Sequence, residues 1–346
     1  MTDTVRKQAI DRGLDFIYQT ACRPAYFAEY GFDYLVCFND LASTSRDHQL
    51  RKKALDLGRE RAREWRRRNG RVPREPQPAD IANLVLGSYA AHNLGLPDGR
   101  FKQDLRKAAA SFTATDYYDF DPAAEAPPGD VPDECDCGAS NPRGRKTCQH
   151  CRRRLTMTTR YAVWQNALIR TYMGERCGVR LGVPYAEVIK WLPSMRPYPA
   201  FADADDVEFH DAVYAVTHVV YSLNGYGRYQ LSPRWLPAEY SFLKRNLTRA
   251  ISMDDPETMG EFMDALKSFG LGEDSPLIRK GVDFLLSTQK SDGSWGDGDA
   301  EDIYQRYHPT WTAVDGLREY AWRGQRLCFP AVAPLLKARS PRPRQR

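Results

Sequence analysis

Residues 280–295 read KGVDFLLSTQKSDGSW, and this stretch decides how the rest of the chain is interpreted. Apolar residues between Val282 and Leu286 recur at the spacing of one helix face. Residues 291–294, Ser-Asp-Gly-Ser, are typical of a turn that ends a helix. Gln289 and Trp295 flank that turn, so we expect them to fasten the helix end to a neighbouring helix.

The same stretch resembles the glutamine–tryptophan repeat of squalene–hopene cyclases and related α/α-toroid proteins. The resemblance implies an all-α fold, a ring of helical hairpins around an apolar cavity. It covers residues 276–323 well and returns weakly at residues 8–20. Matching helices near both ends of the chain fit a repeat architecture that closes on itself, and chance similarity is the alternative. The repeat consists of a basic residue, Gly, an aromatic residue, Gln and Gly-x-Trp, in that order. In this chain its positions are occupied by Lys280, Gly281, Phe284, Gln289 and residues 293–295.

The composition indicates a water-soluble chain with a sizeable core. The chain has 346 residues with 42% hydrophobic content and a formal net charge of +5, enough for one large or two small domains. It contains no apolar run of the length that a membrane helix needs. Residues 1–15 are polar and unlike a signal peptide. We therefore expect a cytoplasmic protein without a membrane span.

Helical periodicity dominates the chain, and proline and glycine punctuate the gaps. We divide it into a first toroid part at 1–118, a zinc-binding loop at 119–156, a second toroid part at 157–338 and a disordered basic tail at 339–346. The predicted helices are 4–20, 28–43, 46–68, 78–93, 100–113, 158–175, 184–192, 206–223, 236–251, 256–269, 276–289, 309–323 and 329–338.

Four of the eight cysteines form a metal-binding pattern. Cys135 and Cys137 make one pair, and Cys148 and Cys151 make a second pair after a polar loop. Two such pairs can present four thiolates to a tetrahedral zinc ion. Four sulfur ligands leave no open coordination position, so we expect a structural zinc site that stabilises a loop inserted into the helical ring.

Two basic segments leave binding of nucleic acid open as a less favoured alternative. Basic residues surround the cysteines, and residues 51–74 carry a further run of arginines and lysines. In the second segment acidic residues stand at helical spacing from the arginines, which favours a solvated outer helix. Leu55 and Trp65 would then pack inward.

Residues 203–206, Asp-Ala-Asp-Asp, resemble the D-x-D-D acid motif of class II terpenoid cyclases. The resemblance implies that Asp205 protonates an alkene or epoxide, with neighbouring carboxylates raising its pKa. Val207 and Glu208 replace the Thr-Ala that usually follows in that family. An acidic N-cap at the start of a helix explains the same residues.

A second hypothesis places a catalytic metal in the cavity. His210, Tyr214 and His218 share one helix face, although about 12 Å along the axis separates the two histidines. Residues 307–317 resemble a helix start in protein prenyltransferase β-subunits, which implies that His308 binds metal, although Pro309 interrupts the pattern. His308, His210 and Asp211 would then converge at one mouth of the ring, with His218 deeper inside. A hydrogen-bonded, half-buried side chain is the alternative for each histidine.

The leading interpretation is a terpenoid cyclase-like toroid enzyme of natural-product biosynthesis, dependent on a metal whose identity is open. Its substrate would be a hydrophobic small molecule, with an isoprenoid among the candidates. The alternatives are an acid-initiated cyclase that uses Asp205, and a non-catalytic scaffold that binds nucleic acid or protein through the zinc loop and the basic helix.

Overall fold

The computed structural model of the chain describes residues 2–129, 131–132, 135, 137, 139, 141–142, 145–201 and 206–336. In these ranges α-helices dominate, and extended structure is limited to isolated bridges and one antiparallel strand pair, β1 (Val131–Pro132) with β2 (Met157–Thr158). The predicted all-α class is confirmed. The helices are α1 (Thr2–Ala21), α2 (Pro24–Thr44), α3 (His48–Arg68), α4 (Pro78–Asn93), α5 (Phe101–Ala109), α6 (Ala114–Tyr118), α7 (Arg160–Cys177), α8 (Tyr185–Ile189), α9 (Leu192–Met195), α10 (Asp206–Asn224), α11 (Pro237–Ser252), α12 (Pro256–Ser268), α13 (Pro276–Thr288), α14 (Tyr304–Leu317) and α15 (Ala333–Leu336).

Proline and aspartate residues fix where several helices begin. Proline occupies the first turn of α2, α4, α11, α12 and α13, where its missing N–H would have no helical partner. Asp47 and Asp255 accept hydrogen bonds from the first free N–H groups of α3 and α12. These local signals explain why the predicted starts of α3, α4, α11, α12 and α13 lie close to the observed ones.

The predicted helix at 309–323 is wrong at both ends, because α14 spans Tyr304–Leu317. The Asp302 carboxylate accepts a hydrogen bond from the Tyr304 N–H at 2.8 Å, so the helix begins before Pro309 and contains it. Arg318 then adopts an extended backbone, and its side chain turns inward. The region predicted as one helix at 184–192 consists of the short helices α8 and α9.

Much of the core lies along α2, α4, α7, α10, α12 and α14, and each of these helices packs against the next in that order. More exposed helices lie against them: α1 on α14 and α2, α3 on α2 and α4, and both α11 and α13 on α12. The first and last helices of this series, α2 and α14, are also joined at their C-terminal ends. The N–H of Ala321 donates to the carbonyl of Thr44 at 2.7 Å, and that of Arg46 donates to the carbonyl of Glu319 at 2.7 Å.

Gln289 and Trp295 fasten the end of α13 to its neighbours, as predicted. The Gln289 amide donates to the carbonyl of Ala9 on α1 at 2.8 Å, and its oxygen accepts from Arg12. Trp295 is fully buried, and its indole N–H donates to the carbonyl of Leu285 on α13 at 2.8 Å. Its backbone N–H donates to the hydroxyl of Thr310 on α14 at 2.9 Å. The motif therefore joins the last helical hairpin to the first helix of the chain.

Residues 12–17 and 280–285 are similar in sequence, and the glycine of each segment makes the same kind of packing contact. Gly13 on α1 lies so close to α14 that an added Cβ would stand 2.8 Å from Val314. Gly281 on α13 approaches α12 just as closely, since an added Cβ would clash with Met263. Both glycines therefore permit close packing of an outer helix on a more buried one.

The arginine-rich helix α3 is largely a solvated outer helix, in agreement with its charge pattern. Trp65 is buried and Leu55 is partly buried, so the apolar face points inward. Arg67 and Arg68 pair with Glu64 along the helix, and Arg66 reaches Asp98 at 2.5 Å. Many of the positive charges are therefore neutralised locally, which weakens the case for this helix as a nucleic-acid surface.

The described part of the structure does not test every prediction made from the sequence. Asp203, Asp205 and the tail at 339–346 lie outside the described residues, and the proposed boundaries at 118, 156 and 338 stay predictions. None of the helices in the described ranges combines the length and apolar character required to cross a bilayer.

Replacing Gln289 with Ala removes its hydrogen bonds to α1 and to the turn at Gly293. We expect the free energy of unfolding to fall by about 2–3 kcal/mol, since buried acceptors lose their donor. Chemical denaturation measures the change. Gln103→Ala, at an exposed position on α5, is the matched control and should change stability by less than about 0.5 kcal/mol. Equal effects of the two substitutions would contradict the role assigned to Gln289.

Candidate active site and metal centre

The four predicted cysteines converge in the loop between β1 and β2. Their sulfur atoms all lie within 4.8 Å of one another, and Cys137 Sγ is 3.4 Å from Cys135 Sγ and 3.7 Å from Cys148 Sγ. A disulfide would need about 2 Å. Four bonds of about 2.3 Å to one tetrahedral ion place sulfur atoms about 3.8 Å apart. The cluster therefore has the geometry to bind a metal ion such as zinc.

The surrounding backbone favours the thiolate form of Cys148. N–H groups of Cys151 and His150 donate to its sulfur and lower the pKa of the thiol to about 6. Asn141 supports the same turn, because its Oδ1 accepts from the N–H of Gln149 at 2.8 Å. A metal-binding sulfur must be deprotonated, so these hydrogen bonds prepare the ligand.

A separate, partly open cavity of about 60 Å³ lies where α2, α10, α12 and α14 face one another. Aromatic side chains of Tyr221, Tyr226 and Trp311 form part of its wall. Its charged or titratable lining residues are Asp40, His218, Glu261, Asp264, His308, Asp315 and Arg318.

Three residues that line the cavity each carry a buried polar atom without a hydrogen-bond partner among the described residues: Glu261 Oε2, Asp264 Oδ1 and Trp311 Nε1. Hydroxyl groups of Thr217 and Tyr221 lie near the Glu261 carboxyl group, and that of Tyr320 lies near the Asp264 carboxyl group. Glu261 is 3% exposed and Asp264 is 8% exposed. Burying a polar atom without a partner costs about 1–3 kcal/mol, so such atoms usually mark a place where a ligand or water supplies the missing bond. Three of them on one small cavity identify it as a binding site candidate.

Burial changes the acidity of the cavity carboxyl groups. Loss of hydration raises the pKa of Glu261 to about 7 and that of Asp40 to about 7. For Asp264, burial and the nearby charge of Asp315 raise the pKa to about 8. These side chains therefore hold protons near neutral pH and can donate them.

His218 has the opposite character. Burial lowers the pKa of its imidazole to about 4, so the ring is neutral at physiological pH. Its Nδ1 lies 2.8 Å from the carbonyl oxygen of Tyr214, and a carbonyl can only accept. The proton therefore resides on Nδ1, and Nε2 keeps a lone pair that can accept a proton.

His308 and Glu257 form an ion pair at one end of the cavity, with Nδ1 and Oε1 2.6 Å apart. Burial by itself lowers the pKa of His308, but the charge and hydrogen bond of Glu257 outweigh it and raise the pKa to about 9. Tyr214 also donates to Glu257, so three elements hold this carboxylate in place.

Arg318 occupies the opposite end of the cavity, with 3% of its surface exposed. Its Nε donates to Asp315 at 2.5 Å, and its NH1 group donates to the hydroxyls of Thr44 and Ser45. Lys267 lies behind it and donates to the carbonyls of Gly316 and Arg318 at 2.6 and 2.8 Å. The two buried cations thus fasten the end of α14 to α2 and α12.

The predicted site residues are only partly brought together. His218 and His308 line the cavity, and Tyr214 contacts it through Glu257. The ring of His210 packs 4.6 Å from that of Tyr214, further out along α10. Asp211 instead accepts from the Thr159 hydroxyl at 2.7 Å, at the start of α7.

The three histidines proposed as a second metal site do not form a ligand group. Within the described part of the chain, the four cysteines are the only set of three or more His, Cys, Asp or Glu residues whose ligand atoms all lie within 4.8 Å of one another. His308 Nδ1 is committed to Glu257, and His218 Nδ1 to the Tyr214 carbonyl.

Sequence reasoning missed the carboxyl groups of the cavity. Glu261 and Asp264 interrupt the apolar stretch of α12, and Asp40 and Asp315 do the same on α2 and α14. A charged residue at a core-facing position of an apolar helix is the signal that could have found them.

The chain was also compared with known proteins. No protein-family model matches it, and neither a curated protein nor a solved structure matches it.

We expect the purified protein to contain one metal ion per chain held by the four cysteines. Cys148→Ser with Cys151→Ser removes two ligands and should abolish that metal content, which elemental analysis measures. Cys22→Ser with Cys328→Ser, outside the cluster, is the matched control and should retain the metal. Metal that survives the first double substitution would contradict the assignment.

The raised pKa of Glu261 predicts a pH-dependent cost to stability. Between about pH 4.5 and 7 the unfolded chain releases a proton that the folded protein keeps, so stability falls as pH rises through this window. Glu261→Gln removes that cost. We expect its free energy of unfolding at pH 8 to exceed that of the wild type by about 1–3 kcal/mol, with a smaller difference at pH 5.5.

Urea denaturation at the two pH values checks the expectation for Glu261. Glu257→Gln is the opposite control: the pKa of Glu257 is lowered, because His308 outweighs burial, so its contribution to stability is present at neutral pH. That variant should be less stable than the wild type at pH 7. If Glu261→Gln destabilises the protein at pH 8 as much as Glu257→Gln does at pH 7, the Glu261 carboxyl group is ionised and paired in the folded protein.

Proposed function

We propose that this chain is an enzyme that transfers protons to and from a small molecule bound in the cavity. One observation carries the proposal: the imidazole of His218 and the carboxyl groups of Glu261 and Asp264 line the same cavity, where burial lowers the pKa of the imidazole and raises the pKa of both carboxyl groups. General acid–base catalysis needs a proton acceptor and a proton donor whose pKa values are held apart, and this arrangement supplies both.

In the proposed reaction, His218 Nε2 accepts a proton from the substrate, and Glu261 or Asp264 delivers one elsewhere on the molecule. One proton leaves and one arrives, so the reaction is an isomerisation or an elimination with protonation of the leaving group. The aromatic rings of Tyr221, Tyr226 and Trp311 keep bulk water away from the reacting atoms. Asp205 is not needed in this scheme.

We also propose that the helices form an α/α toroid, in which α2, α4, α7, α10, α12 and α14 make the inner ring. The packing order of these helices supports the proposal, as do the contacts between residues 44–46 and 319–321. The Gln289 and Trp295 contacts fit the glutamine–tryptophan resemblance. The cavity would then lie on the axis of the ring.

The volume of the cavity favours a substrate group that is smaller than the isoprenoid chain bound by a terpenoid cyclase. About 60 Å³ accommodates one functional group, and much of the wall is charged. A long isoprenoid chain would need an apolar cavity of several hundred Å³. The proposal therefore keeps the toroid and the acid chemistry but assigns the cavity to a polar group of the substrate.

We propose that the four-cysteine metal is zinc and that its role is structural. Four sulfur ligands fill a tetrahedral ion, so no position is open to a substrate. A catalytic metal in the cavity is the weaker proposal, because among the described residues the ligand atoms of His308 and His218 belong to no group of three or more that is close enough to share one ion.

Binding of nucleic acid through the zinc loop is a second candidate function. Arg145, Lys146, Arg152 and Arg154 are exposed around the cysteines and could contact phosphates. Fluorescence anisotropy with single-stranded RNA tests it: charge reversal of Lys146 and Arg154 should abolish a salt-sensitive signal. Reversal of Arg67, which Glu64 already neutralises, is the matched control.

Deuterium exchange tests the proposed enzyme against many candidate substrates at once. The protein is incubated in D₂O with a fractionated pool of small metabolites, and mass spectrometry finds compounds that gain deuterium or change composition. We expect at least one such compound with the wild type and a loss of at least a hundredfold in rate with His218→Gln, since one general base contributes about 10²–10⁴.

The substitution His218→Gln keeps a polar side chain of similar size at this position, so the fold should survive. His150→Gln on the zinc loop is the matched control and should retain full activity. A deuterium gain that is unchanged in the His218→Gln protein would overturn the proposal, as would a pool in which no compound responds to the wild type.

A further inference from the structure

A surface cleft of about 520 Å³ leads toward the cavity at the beginning of α12. Glu257 lines this cleft, and His308 lines the cavity. The two side chains are in contact, with Nδ1 and Oε1 2.6 Å apart, so their ion pair separates the cleft from the cavity. The cleft and the cavity are therefore adjacent, with this pair between them.

The cleft is acidic. Its charged lining residues are Asp254, Asp255, Glu257, Asp297 and Lys290, four carboxylates against one amine. Asp255 is used in part to cap α12, but its negative charge remains. Such a cleft attracts cations and repels anions, because its walls focus a field of one sign.

The cavity is also rich in carboxyl groups. Carboxyl groups reach it from three helices: Asp40 from α2, Glu261 and Asp264 from α12, and Asp315 from α14. Arg318 is already paired with Asp315, and His308 is paired with Glu257. Asp33, on α2, adds a further carboxyl group close to His308. This carboxylate accepts a hydrogen bond from the Tyr307 hydroxyl at 2.6 Å.

Lys267 offsets these carboxyl groups only in part, because its ammonium group also pairs with Glu319, with Nζ and Oε1 3.7 Å apart. His218 is neutral and contributes no charge. The unpartnered oxygens of Glu261 and Asp264 therefore form the part of the wall that most needs a donor. Tyr221, Tyr226 and Trp311 complete the wall, and aromatic rings also favour cations.

From this geometry we infer that the substrate carries a small cationic group, of the amine, amidine or guanidine class, that binds between Glu261, Asp264 and Trp311. The inference rests on the proposed function and names the class of its substrate. The body of the molecule would occupy the acidic cleft, while the cationic group donates hydrogen bonds to the two unpartnered carboxyl oxygens. One carboxyl group ionises to pair with the cation, and the other keeps its proton for catalysis.

Trp311 gives a local probe for this inference. Its indole Nε1 is one of the unpartnered atoms of the cavity, so its N–H resonance reports on what binds there. The chain has seven tryptophans, and Trp311→Phe identifies the resonance in a spectrum of protein labelled with ¹⁵N-tryptophan. Acetamidinium, acetamide and acetate are the probes, because they share one shape and differ in charge.

We expect acetamidinium to shift the Trp311 resonance saturably, with acetamide and acetate at least tenfold weaker at constant ionic strength. Its affinity should rise about tenfold between pH 6 and pH 8, because binding releases a proton from the cavity carboxyl groups. Asp264→Asn and Glu261→Gln should each weaken binding at least tenfold. Asp56→Asn, on the exposed face of α3, is the control and should bind as the wild type does.

Equal binding of acetamide or acetate would overturn the inference, and so would a Trp311 resonance that acetamidinium leaves unchanged. A titration of the same resonance without any probe separates the two proposals. If it follows an ionisation near pH 7–8 that Asp264→Asn removes, the acid–base cavity stands and only the cationic substrate is wrong. If the Trp311 resonance shows no ionisation near pH 7–8, the proposed function is wrong as well.

Discussion

The buried guanidinium of Arg318 ties the centre of this protein together. A guanidinium does not lose its proton in a protein, so a buried one must be compensated by nearby acceptors. Its acceptors come from Asp315 on α14 and from Thr44 and Ser45 at the end of α2. Satisfying one charge thus joins the first and last of the well-buried helices and keeps a carboxyl group at the cavity.

The cavity contains more carboxyl groups than Arg318 can balance. Glu261 and Asp264 respond by holding protons, and this is a cost in stability that an ordinary apolar core would avoid. Natural proteins keep such costs mainly where function requires them. The combination of unpaired acids with a neutral imidazole at His218 is therefore better explained by chemistry than by packing.

Local signals in the sequence were sufficient for much of the fold. Proline at first turns and aspartate at caps determined helix starts, and the spacing of four cysteines predicted a cluster with the geometry to bind a metal ion. The contacts of Gln289 and Trp295 followed from a short motif. Each of these features depends on residues close together in the chain, where geometry follows from spacing.

The carboxyl cavity could not be found in the same way. Asp40 and Asp315 are far apart in the chain, and only the approach of α2 to α14 places both on one wall. The prediction for α14 also failed because Arg318 turns the chain inward through partners nearly the whole sequence away. The histidines were noticed, but Glu257 and the Tyr214 carbonyl, which determine their protonation, come from tertiary and helical contacts.

The strand pair of Val131 with Thr158 has a consequence for how the cysteine loop relates to the rest of the chain. Its antiparallel register brings the two ends of the loop to within about 5 Å of each other. A segment that leaves and returns at nearly the same point can vary in length at little entropic expense to the helices. The cysteine loop is therefore a module that evolution could gain, lose or exchange while the helical body keeps its core.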